Sequence, residues 1–340
     1  MKSPVITCAF VFLWMASAYG QSAGEYMDQM GADYRSITKD AWAYIRTAAR
    51  GRSARQIDNR RRDLLATIRE SQDRLRSVPA YQDDASFRDA VLDYLTVYYA
   101  VLNDDYAKIM DLEAVADQSY DAMEAYLLAE DLAQARLHYA FDELDVAQQS
   151  FAARHSVNLI AQEDETSAKL RKASEASAYQ HRLFLIFFKA YHQEQYLLVA
   201  LQEGNLAKLQ QSRSAMLAFA EEGIGQLDTI PGFESDESLK MAALEALQFF
   251  RAEAGPSGEG LVNYFLAKET YEEIKALFEE TPKPKRTTEL VNEYNSAVQE
   301  LNTASGEFSE AIRQFNQKRG QVIGQWEKAT ENFYHTHVPW

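Results

Sequence analysis

Apolar side chains recur along this chain at alternating steps of three and four residues. Leu92, Leu95, Tyr99, Leu102, Tyr106 and Ile109 form one such stripe, and Leu137, Ala140, Leu144, Ala147 and Phe151 form another. A third runs from Leu290 through Tyr294, Val298, Leu301, Phe308, Ile312, Phe315 and Val322 to Trp326, about ten turns at 3.6 residues each. This step places the apolar residues on one face of an α-helix. No stretch alternates with the period of a strand, and no Asn-Gly or Asp-Gly pair marks a hairpin. Between Gly51 and Gly204 there is no glycine, and between Pro79 and Pro231 no proline. The pattern predicts an all-α chain with long helices.

Two sets of four helices are expected. In the first, helix A covers about 25–50, helix B about 53–76, helix C about 85–128 and helix D about 131–170. In the second, they cover about 175–202, 206–228, 237–279 and 287–333. Gly51 and Gly204 terminate helix A of each set. Pro79 and Pro231 break the chain after helix B, and Asp84 and Asp236 offer short acceptors to the helix that follows. The glycines from Gly255 to Gly260 interrupt the second helix C and read as a hinge. Helix D of the first set is expected to run almost continuously into helix A of the second.

The two sets share a register. A shift of 152 residues lays Ser77-Val78-Pro79-Ala80-Tyr81 on Thr229-Ile230-Pro231-Gly232-Phe233. Asp84 to Arg88 then fall on Asp236 to Lys240, Tyr44-Ile45 on Tyr196-Leu197, and Leu64-Leu65 on Met216-Leu217. A gapless match from about 43 to 95 is the signature of an internal duplication. The expectation is therefore two tandem elongated four-helix-type bundles, residues 21–172 and 173–340.

The residues before them read as an address. Met1-Lys2 is a positive start, Pro4 to Met15 is apolar, and Ala16-Ser17-Ala18-Tyr19-Gly20 supplies small residues for a cut after Gly20. That is the pattern of a signal peptide over 1–20, and its apolar run is shorter than the roughly 20 residues a membrane span requires. Export to the periplasm or the cell surface is expected, with no transmembrane segment in the mature chain. The single cysteine, Cys8, lies within that segment, so the remainder has no disulfide framework and no thiolate chemistry.

The net charge of -16 argues against nucleic acid as a partner. It is unevenly spread. Arg46 to Arg76 holds ten arginines and four acids, whereas Asp83 to Asp145 holds sixteen acids and three bases. Within the basic stretch, Arg60, Arg61 and Arg62 are about 100° apart on a helix and cannot face one partner together. Measured from Leu64, Leu65 and Ile68, Arg61 borders the core and is expected to pair with acids of helix C or D, as does Arg213 in the second set. Arg60 and Arg62 point outward and are replaced there by Ser212 and Ser214. They are the candidate surface for an anion or a partner.

Candidate chemistry is thin. No histidine has an acid three residues before or after it, which excludes the Glu-x-x-His pairs of di-iron bundles. Two weaker metal candidates are Glu327, Glu331 and His335 with His337 nearby, and the acidic series Glu113, Asp117, Asp121 and Glu124. There is no Gly-x-Ser-x-Gly elbow and no phosphate-binding glycine loop. No cofactor and no catalytic residue is expected.

Asp40-Ala41-Trp42-Ala43-Tyr44, Gly51-Arg52-Ser53-Ala54-Arg55, Tyr81-Gln82-Asp83-Asp84, Leu102 to Ile109 and Gln118 to Tyr126 together resemble a family of uncharacterised, exported helical surface proteins of Gram-negative bacteria. The resemblance covers roughly residues 25–160 and implies an envelope or surface location, with no chemistry attached. The expected function is a non-catalytic interaction or structural module whose partner is another envelope protein or a surface ligand. The alternative is a periplasmic protein that binds a metal or small ligand.

Overall fold

The computed structural model describes residues 21–49, 54–159 and 165–338, and the described chain is all-α. The signal peptide over 1–20 and the turn at Gly51 lie outside the described residues. Unit 1 takes the residues up to His181 and those from Phe333 onward, and unit 2 takes Arg182–Asn332. The expected boundary at 172/173 lies inside a helix, Glu165–Glu203.

Unit 1 begins with α1 (Ala23–Met30), whose Ser22 and Glu25 form a reciprocal capping box. Gly31 ends it, and α2 (Tyr34–Ala49) follows, so helix A is two helices where one was expected. Helix B is α3 (Ala54–Arg76). Helix C differs from the expectation more strongly. It consists of α4 (Ser86–Ala100), a π-turn at Val101–Asp105, and α5 (Tyr106–Ala116), which stops short of the expected end. The break comes at Asp117–Ser119 because Ser119 is extended and its hydroxyl accepts from the amide of Ala122, capping α6 (Tyr120–Arg154). Helix D thus ends at Arg154 and not near 170. Ser156 takes a left-handed φ of 55° and Val157 N–H donates to the Ala152 carbonyl, a Schellman stop built without glycine. The expected run-on from helix D into the next helix is therefore absent.

The core of unit 1 gathers Tyr26, Met27, Ile45, Leu64, Ile68, Phe87, Tyr98, Leu102, Leu127 and Phe151, all at most 1% exposed. Tyr26, Tyr81, Phe87 and Phe151 pack ring on ring at 5.5–6.0 Å. Asp84 accepts from Arg154 and His155 at the end of α6. Its burial opposes ionisation, but hydrogen bonds from Ser86, His155 and Arg154 outweigh this and hold its carboxyl well below the usual range.

Unit 2 takes most of α7 (Glu165–Glu203), then α8 (Leu206–Asp228), α9 (Ser238–Ala254), a short 3-10 turn at Pro256–Gly258, α10 (Glu259–Glu280), and α11 (Thr288–His337), which returns to unit 1 at its end. Gly204 closes α7 at φ 65°, the left-handed position that favours glycine. The glycine-rich loop read as a hinge is a tight corner: Gly258 is buried, and a Cβ on it would meet the Glu253 carbonyl oxygen at 1.8 Å. Phe187, Phe250 and Trp326 stack at 5.2–5.9 Å in the core. Beside them Arg319 donates to Glu194 at 2.5 Å and to Glu253 at 2.6 Å. Both carboxylates are buried, and each leaves its Oε2 without a hydrogen-bond partner.

Several details recur at the 152-residue spacing. The ends of α3 and α8 coincide at that offset. Tyr81 and Asp84 exchange two backbone hydrogen bonds, as do Phe233 and Asp236. Both enclosed pairs, Gln82-Asp83 and Glu234-Ser235, have positive φ, the geometry of a type I′ turn. As expected, Asp84 and Asp236 accept from the first amide of the next helix, at Ser86 and Ser238. Arg88 donates to the Val78 carbonyl and Lys240 to that of Ile230.

Candidate anion-binding groove

The arginine cluster lies where α2 and α3 meet. Ile45 on one helix and Leu64 and Ile68 on the other are fully buried, and Thr67 on α3 donates to Asp40 on α2 at 2.6 Å. This pairing brings the last turn of α2 beside the first half of α3. Between them runs a groove of about 730 Å³ lined by Arg46, Thr47, Gln56, Asn59, Arg60, Arg62 and Asp63. Three guanidinium groups face one carboxylate there, with two amides and a hydroxyl as further polar contacts.

The three consecutive arginines part as the helical angle requires. Arg60 and Arg62 point outward with side chains 53% and 70% exposed, and Arg61 turns inward at 18%. Arg60 lies 3.4 Å from Asp63, and Arg62 lies 2.5 Å from Asp58. Exposed pairs of this kind contribute about 0–1 kcal/mol, so a competing anion displaces them at little cost. Arg46 makes no ion pair among the described residues. A guanidinium offers a planar fork that matches two oxygens of a phosphate or carboxylate. The hydrogen bond from Arg61, with the charges of Arg61 and Arg62, holds Asp58 below the usual carboxylate range, so it stays ionised and holds the inward-turned Arg61 in place.

Arg61 has a different partner from the one expected. It donates to Asp58 on its own helix at 2.7 Å and to the Leu102 carbonyl at 3.0 Å. Arg213 likewise donates to carbonyls, those of Ala254 at 2.6 Å and Gly255 at 2.8 Å. Neither uses an acid of helix C or D.

The two metal candidates do not converge. Glu327, Glu331 and His335 are exposed, whereas His337 is buried against the Phe333 ring at 4.8 Å. The break at Asp117–Ser119 places Glu113 and Asp121 on different helices. Among the described residues no group of three or more His, Cys, Asp or Glu side chains is placed to hold a metal. Ser177, His181 and Glu130 do meet in the core of unit 1, but both the serine and the glutamate lie 3.5 Å from the same ring nitrogen, Nε2. A relay needs them on opposite nitrogens. Burial also lowers the His181 pKa to about 4, so the ring is neutral at pH 7.

Arg46, Gln56 and Asn59 were not anticipated. Arg46 opens the basic run already visible in the sequence, but only the α2–α3 pairing joins it to Arg60 and Arg62. No family model, no curated protein and no solved structure matches the chain.

Proposed function

We propose that this chain is an exported, non-catalytic interaction module of the cell envelope that docks an anionic group of its partner between Arg46, Arg60 and Arg62. The observation that carries the reading is the groove's charge: three guanidiniums against one carboxylate, in a chain whose net charge is -16. Positive charge gathered against that background attracts phosphate or carboxylate groups selectively. Export rests on the signal-peptide pattern of residues 1–20 and on the resemblance to exported surface proteins, and it delivers the module to the periplasm or the cell surface. The turns and carbonyl contacts that recur at 152 residues support descent of the two units from one duplicated ancestor.

Titration of the purified chain with tripolyphosphate and with citrate tests the groove. Binding that weakens with salt, and that is lost in Arg60→Glu/Arg62→Glu, is expected. Unchanged binding by that variant overturns the assignment. Cross-linking in intact cells then identifies the partner, and N-terminal sequencing of the native protein should begin at Gln21.

A further inference from the structure

Helix α6 exposes more large apolar side chains than any other described helix. Leu128, Leu132, Tyr139 and Val146 are 54%, 61%, 67% and 63% exposed. At about 100° per residue the four fall within about 40° of one another. On the far side, about 140° around the helix, lie the buried residues Tyr126, Ala133, Leu137, Leu144 and Phe151. The helix is thus apolar on two faces, and only one of them is used by the core. From Leu128 to Val146 the outer stripe extends about 27 Å, the length of a five-turn helix laid alongside.

The surroundings of the stripe select its occupant. Asp121, Glu124, Asp131, Asp142 and Glu143 are all exposed on or beside it. The one arginine near it, Arg136, is tied to Asp105 at 2.8 Å. A second copy of α6 would bring its own acids against these, and such like-charge contacts disfavour pairing. A helix with leucine-like residues on one face and lysine or arginine at its borders meets both requirements. A row of large exposed apolar side chains on one helix face, rimmed by charge, is the pattern of an interaction site, and helix-in-groove or helix-on-helix docking reads anchors at one face in this way.

We propose that the outer face of α6 is a docking site for a basic amphipathic helix of another protein. The site is separate from the arginine groove, carries the opposite charge, and stands or falls independently of it.

The test uses a fluorescein-labelled amphipathic peptide of about 18 residues, long enough to span the stripe, made of leucine and lysine, and its leucine–glutamate twin. Anisotropy titrations are run against the full chain and against Leu132→Glu/Tyr139→Glu, which alters only exposed positions. The leucine–lysine peptide should bind, its twin should not, and the double variant should weaken binding at least about ten-fold, equal to about 1.4 kcal/mol. The variant adds two negative charges, so attraction by charge alone would tighten binding instead. Absence of binding, or equal or tighter binding by the variant, overturns the proposal. So does a concentration-dependent doubling of the chain's own mass in sedimentation that the variant abolishes, since the occupant would then be a second copy.

Discussion

Arg61 in unit 1 and Arg213 in unit 2 reach carbonyls that are themselves 152 residues apart, Leu102 and Ala254, but those carbonyls lie in different backbone settings. In unit 1 the helix continues, widened into a π-turn at Val101–Asp105. In unit 2 it stops at Gly255, and Pro256 starts a 3-10 turn. A carbonyl inside a regular α-helix already accepts an amide and is crowded by the next turn, so a widened turn or a helix end is the easier place for an arginine to reach one. The arginine contact is the constant element, and the helix it meets is the variable one. Buried charge separates the units further. Unit 2 encloses Arg319 between two buried glutamates, and burial, with the hydrogen bond and charge of Glu194, pushes Glu253 up to about 9. Unit 1 pairs Glu130 with a neutral His181. One unit therefore holds an extra proton at neutral pH, and the other withholds one.

The strongest way to break this contrast is Arg319→Met. It leaves the buried Glu194–Glu253 pair, which shares one negative charge at neutral pH, without its cation and should cost about 3–5 kcal/mol. Urea unfolding gives the size, and hydrogen exchange should show the lost protection in α8 and α9 and not in α3 and α4. A loss below about 1 kcal/mol would mean that water already reaches the pair.

The arginine contacts come next. Arg213→Ala frees two carbonyls and should cost about 2–3 kcal/mol; Arg61→Ala frees one carbonyl, leaves Asp58 to water, and should cost about 1–2 kcal/mol. Equal losses in thermal unfolding would erase the difference drawn between π-turn and helix end.

The pH dependence sharpens the comparison because the signs are opposed. Glu253 titrates near 4.5 when unfolded and near 9 when folded, so the folded chain binds more protons in between, and unit 2 loses stability as pH rises through that window. His181 moves from 6.5 down to about 4, so the folded chain binds fewer protons there, and unit 1 loses stability as pH falls from 6.5 to 4. Each effect should be on the order of 1–2 kcal/mol after relaxation and water entry. Urea unfolding across pH measures it: Glu253→Gln should flatten the alkaline slope and His181→Gln the acid one.

Changing Arg60 and Arg62 together to Gln should have the smallest effect, within about 0.5 kcal/mol, as for exposed surface pairs. A larger loss in calorimetry would make them part of the fold and remove them from the groove's free surface.

Helix B was legible almost to the residue in both units because glycine and proline bracket it, and Gly204 and the acceptors Asp84 and Asp236 do what their types suggest. The break at Asp117–Ser119 was hidden, since its only signal is one serine in a polar stretch. The π-turn at Val101–Asp105 contains no helix breaker at all. Gln82-Asp83 and Glu234-Ser235 form primed turns without the usual glycine or asparagine, so the sequence reading found the corners but not their type. At the groove, helical angle was enough to turn Arg61 inward and Arg60 and Arg62 outward. It was not enough to name the partner of Arg61, because a sequence displays its acids and conceals which carbonyls a fold leaves free. The cluster of Glu194, Glu253 and Arg319 joins residues from three helices, and no local pattern announces it.

The path of the last helix has a consequence for the order of assembly. Unit 1 is written in two pieces: Phe333, on the last turns of α11, stacks on Tyr179 at 5.6 Å, and Val338 is fully buried. All of unit 2 lies between those pieces in the sequence. A chain that emerges from its N-terminus therefore has every residue of unit 2 in hand before the closing segment of unit 1 appears. The unit begun first is the one finished last, and until then the apolar surface around Tyr179 stands open to whatever escorts the nascent chain.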